Sequence, residues 1–137
     1  MAAIVTIEEV LKRIANIYGF QIYFYKVTEA TYGFRLIQVK DVTGVCNYTH
    51  QYINIYENPK VSICPVKRIC VMVHEIGHAI DYGIDHPNDY WDRTSQFPEL
   101  VAWTNAKRLL KKIGFTKWEK YDEYRRKALA TYGYQGP

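Results

Sequence analysis

The residues His74-Glu75-Ile76-Gly77-His78 constrain this chain more than any other stretch. Four residues advance a helix by about 400°, so the two histidines stack one turn apart. Stacked in this way, both imidazoles can grip one metal ion from the same face. Glu75 lies one step round from His74. It can reach a water on that ion without being a ligand, and act there as general base. The flanking sequence predicts a helix from Val66 to about Tyr82. Pro65 stands where a first turn tolerates proline, Ile69, Val73, Ile76 and Ile80 recur on the side away from the histidines, and Gly83 reads as a C-terminal cap. Gly77 leaves room for a backbone or the sheet to approach this helix closely.

A catalytic zinc ion takes three protein ligands and keeps one position open, so a third ligand must come from elsewhere. His86 falls eight residues after His78, two too many for a His-x-x-Gly-x-x-His continuation. Glu99 is better placed, because Pro98 opens a second predicted helix that runs to about Ile113. Ala102, Trp103 and Ala106 on that helix would pack against the first, and a glutamate facing two histidines is the gluzincin arrangement. The helix dipole also favours a first-turn glutamate for its own sake, and Asp85, His86, Asp89 and Asp92 stay open as alternative ligands. Asp81 and Asp85 are candidate acceptors for a ligand imidazole's other N–H. An oxyanion also needs a donor. Tyr90, Tyr124, Tyr132, His50 and Arg93 are conceivable, but in a chain with 13 Tyr none stands out. Cys70, one turn before His74, reads as a small buried cysteine.

The rest of the chain predicts the scaffold. Thr6 followed by Glu9 forms a capping-box pattern, and Ile7, Val10, Leu11, Ile14 and Ile17 recur at helical spacing up to Gly19. The texture then changes to β-branched and aromatic runs at Phe20–Val27, Phe34–Val39 and Tyr52–Tyr56, separated by Gly33, Gly44 and Asn47. A last amphipathic helix is expected from about Lys117 to Ala130, with Ile84–Phe97 a loop and Gly133–Pro137 a loose tail. The expected fold is therefore α+β. A small, mostly antiparallel sheet packs with the metal helix, the Glu99 helix and one helix at each end, all in a single domain over residues 1–137.

With 48% hydrophobic residues, 137 residues can bury a core without disulfides. Three cysteines, Cys46, Cys64 and Cys70, have no ligand-type spacing and suit a reducing compartment. No apolar run approaches the ~20 residues of a spanning helix, and Met1–Tyr18 lacks the features of a signal peptide. The expected location is the cytoplasm. The formal charge of +4 is uneven: Lys107–Lys127 holds nine Lys/Arg against three acids, and Asp81–Glu99 holds five acids and one Arg. Charges at helical spacing describe a solvated face, so no nucleic-acid role is inferred.

Tyr52-Ile53-Asn54-Ile55-Tyr56, Arg68, the His74–His78 block and Glu99-Leu100-Val101-Ala102-Trp103, with Ala106 and Leu109-Leu110, resemble the core of ImmA/IrrE-type metallopeptidases. These zincins are often encoded by phages and mobile elements, and some act on repressors. The resemblance implies zinc on His74, His78 and Glu99, with Glu75 as base and a protein or peptide as substrate. It also implies that Tyr52–Tyr56 is the edge strand beside the cleft, where a peptide could add to the sheet. Two departures are plain. The second acid usual near Glu99 is missing, and no helix-turn-helix accompanies the core. The expected activity is zinc-dependent peptide hydrolysis. The alternative is a zincin-fold binding or inhibitor module, for instance a phage protein that captures a host regulatory or defence protein.

Overall fold

A computed structural model describes residues 6–32, 34–84 and 96–131. Four helices and five strands follow in the order α1 (Ile7–Ile17), β1 (Gln21–Lys26), β2 (Glu29–Tyr32), β3 (Arg35–Gln38), β4 (Val42–Asn47), β5 (Tyr52–Glu57), α2 (Pro65–Ile84), α3 (Gln96–Lys112) and α4 (Trp118–Ala130). The α+β class and both terminal helices agree with expectation. Thr6 caps α1, its hydroxyl accepting from the Glu9 N–H at 3.1 Å. None of the described helices is long and apolar enough to cross a membrane.

The sheet departs from expectation. Its order is β1-β5-β4, with β1 parallel and β4 antiparallel to β5, so it is mixed rather than mostly antiparallel. The strand expected at the edge, Tyr52–Tyr56, is the central one. Its burial explains why: Ile53 and Ile55 are fully buried, and Tyr56 is nearly so. The edge beside α2 is instead β4, a strand absent from the sequence reading, which took Gly44 and Asn47 as separators. A parallel β1–β5 pair requires a long connection, and residues 27–51 supply it, carrying the antiparallel β2–β3 hairpin and then β4.

Two helix ends also differ. α2 continues through Ile84, so Gly83 lies inside it and is not its cap. α3 begins at Gln96, two residues ahead of the expected start at Pro98.

The core forms where α1, the sheet and α4 close around α2 and α3. Leu11 and Ala15 of α1, Ile53 and Ile55 of β5, and Cys70, Val73 and Ile76 of α2 are all fully buried. One ion-pair cluster ties three elements together at its margin. Arg68 Nε donates to Glu57 Oε1 at 2.6 Å, and its Nη1 reaches Glu8 Oε1 at 3.4 Å. Glu57 is buried, so removing its partner leaves a carboxylate both desolvated and unpaired. Arg68→Ala should therefore destabilise the fold by about 2–3 kcal/mol in urea unfolding. A change under half of that would mean that water replaces the guanidinium.

Candidate metal centre

The α2 sequence places His74 and His78 on one face, their ring centroids 4.7 Å apart. Opposite them, the first turn of α3 brings in Glu99, whose carboxylate spans both rings. Its Oε2 lies 2.7 Å from His74 Nε2 and its Oε1 3.0 Å from His78 Nε2. Glu75 lies to the side, Oε1 3.3 Å from His74 Nδ1. The ligand atoms of His74, Glu75 and His78 fall within 4.8 Å of one another, a grouping able to hold a metal ion. His78, Glu75 and Glu99 are all buried.

Burial disfavours the imidazolium of His74, but the adjacent Glu75 and Glu99 carboxylates outweigh it and raise its pKa to about 10. Burial likewise opposes ionisation of Glu99. The hydrogen bonds from His74 and His78 overcome it and hold the carboxyl well below the usual range. The cluster is thus a compact set of opposed charges in a poorly solvated place.

Two close backbone approaches set this geometry. At Gly77, a Cβ would lie 2.1 Å from the Ala102 carbonyl oxygen, so α2 and α3 can meet at this distance only because the residue is glycine. Of the two approaches expected at Gly77, backbone or sheet, the structure makes the backbone one, with α3. Asn105 adds a buried bond there, its Nδ2 donating to the Gly77 carbonyl at 3.1 Å. At Gly44, a Cβ would lie 2.6 Å from Glu75 Cγ, so the edge strand passes directly over the base candidate. Aromatic rings complete the frame. Trp103 stacks on His74 at 4.5 Å, Tyr48 meets His78 edge-on at 6.2 Å, and the buried Tyr121 hydroxyl donates to the Trp103 carbonyl.

Other candidates fall elsewhere. His50 is exposed in a turn, where its backbone N–H donates to Asn47 Oδ1. Tyr124 sits by Lys67, whose ammonium is 5.8 Å from its ring, on a cavity wall away from His78. Asp81 is buried one turn beyond His78. Cys70 is fully buried as expected, and burial pushes its thiol up to about 12. Asp85, His86, Asp89, Tyr90, Asp92, Arg93, Tyr132 and the tail from Gly133 lie outside the described residues, as does most of the expected Ile84–Phe97 loop. Sequence reasoning missed Gly44, Tyr48 and Cys46, a buried cysteine beside Glu75 whose thiol is raised by burial and by that carboxylate.

Two cavities open onto the cluster. One, of about 440 Å³, lies between the β2–β3 hairpin, β4 and His78. The other, of about 570 Å³, runs from His74 along α2 toward α4. They share Gln38, Thr43, Gly44, Glu75 and Glu99, so together they form a cleft that crosses the cluster. In comparisons with protein-family models, curated proteins and solved structures, none matches the chain.

Proposed function

We propose that this chain is a zinc-dependent hydrolase of peptide bonds, of the ImmA/IrrE-like zincin type, with His74, His78 and Glu99 as metal ligands and Glu75 as general base. The observation that carries the reading is the Glu99 carboxylate held across both Nε2 atoms, 2.7 and 3.0 Å away. Two neutral imidazoles with one carboxylate are a usual catalytic zinc donor set, and these three residues would hold the ion.

Bound there, zinc would supply Lewis acidity toward water and the substrate carbonyl. The protein's share is to hold and move protons. Glu75, pinned under Gly44 and beside the ligands, takes a proton from the attacking water and returns it to the leaving amine. Trp103, stacked on His74, and Tyr48, edge-on to His78, hold the imidazole planes. A peptide has a natural track in the free edge of β4. β5 pairs with one side of this strand, no described strand pairs with the other, and it lines both cavities. An extended chain added there would lie over the cluster.

Elemental analysis of protein purified without chelator tests the reading, together with cleavage of a degenerate peptide library before and after zinc removal. The expected result is one zinc per chain and cleavage that chelation abolishes and zinc restores. Glu99→Ala should weaken zinc binding by at least the ten- to hundredfold that loss of an outer-sphere partner causes. Unchanged affinity would transfer the third ligand position to another residue. Absence of zinc would end the proposal.

A further inference from the structure

The larger cavity extends well past the cluster, and its far end is basic. His74, Val71, Cys70 and Lys67 follow one another along a single face of α2, and all four line it. At 1.5 Å per residue, Lys67 stands about 10 Å along the helix from His74. Around it, Lys40 and Lys127 face the same space, and Asp41 is the one acid among the residues that line that end. Lys67 is held in place by Asp41 at 2.5 Å. Lys40 is exposed. Lys127 meets Glu123 at the surface, a weak pairing that leaves its charge available. Between the two ends the wall is apolar, made by Val42, Val71 and Ala128.

We infer that this arm of the cleft selects substrates carrying an acidic side chain, glutamate above all, on one side of the reacting bond. This rests on the peptide-hydrolase reading and adds the substrate class to it. To reach the lysines, an acidic side chain must cross the apolar wall between them and the cluster, which suits the longer aliphatic stem of glutamate over aspartate. An extended chain advances about 3.3 Å per residue, so the acidic position falls within three residues of the bond.

The test uses zinc-loaded full-length chain carrying Glu75→Gln, so that binding is read apart from turnover. Short degenerate peptide pools with Glu, Gln or Lys fixed at one position are compared for retention at low and high salt. Glu pools should bind roughly tenfold better than Gln pools, the size expected of one or two partly exposed ion pairs, with Lys pools worse and the preference fading in salt. Lys40→Glu/Lys127→Glu, both changes on exposed side chains, should remove or invert that order without altering zinc content. Equal retention of the three pools, or an order the double variant leaves intact, overturns the inference. If the Glu75→Gln chain ranks the pools as expected but the zinc-loaded parent cleaves none of them, the acidic-ligand inference stands and the hydrolase reading falls.

Discussion

Replacing Glu75 with Gln should lower peptide hydrolysis on the order of 10²–10⁴-fold, the contribution of a positioned general base, and leave zinc content unchanged. The substitution is conservative where packing is tight. Gly44 leaves room for the Glu75 Cγ methylene, and glutamine keeps that methylene. The amide oxygen can still lie near His74 Nδ1, where the carboxylate oxygen now stands at 3.3 Å. What is lost is the ability to accept a proton. Rate and metal content measured on one preparation separate the outcomes. A rate within tenfold of the parent removes Glu75 as base. Loss of zinc along with activity would instead make Glu75 a ligand, which its place among the three grouped residues permits. A chain that binds its target equally well with either residue and hydrolyses nothing would be a binding module.

The clustering of His74, Glu75 and His78 was readable because its signal is local. His74, Glu75 and His78 share one helix, and helical periodicity alone predicts that two imidazoles meet. Glu99 required one further step, the expectation that the next helix packs back on the first. The sheet was harder, because its pairing depends on residues far apart in the chain. Tyr23, Phe24 and Tyr25 make β1 look like an interior strand, yet all three are exposed. The true interior strand, β5, is distinguished by burial on both faces, which a six-residue run does not reveal. No local pattern states that β1 and β5 run parallel across an intervening hairpin.

β4 was overlooked for a more instructive reason. Gly44 and Asn47 resemble turn residues, and a glycine inside a strand weakens it. The same principle allows the opposite reading: a glycine flanked by Val42-Thr43 and Val45-Cys46 marks a place where something approaches the strand closely. Here that something is Glu75. The sequence thus carried a sign of the edge strand and of Glu75's surroundings together, legible only once the two were known to face each other. Tyr48 left no comparable sign, since one tyrosine among 13 has nothing to mark it.

Gly77→Ala should unfold the chain more readily and weaken the proposed metal site at the same time. Inside an exposed helix this change is favourable by about 1 kcal/mol, because alanine is the better helix former. At Gly77 the sign reverses. The new methyl would sit 2.1 Å from the Ala102 carbonyl oxygen and 2.8 Å from its carbon, and these are backbone atoms of α3 that no rotamer change can move aside. The helices must separate, and the buried Asn105 bond to the Gly77 carbonyl is stretched as they do. Overpacking of this kind costs about 1–3 kcal/mol where side chains can adjust. Against backbone, with a buried bond lost as well, about 3 kcal/mol or more is expected, near 10 °C in melting temperature for a chain of this size. The consequence for function is direct, because α2 carries both histidines and α3 carries Glu99. Any gap opened at Gly77 draws the carboxylate away from the imidazoles, so zinc affinity should fall in step with stability, and Gly77→Val should be worse on both counts. A Gly77→Ala protein that melts and binds zinc like its parent would show that α2 and α3 do not cross this closely in solution, and the three-ligand centre built on that crossing would go with it.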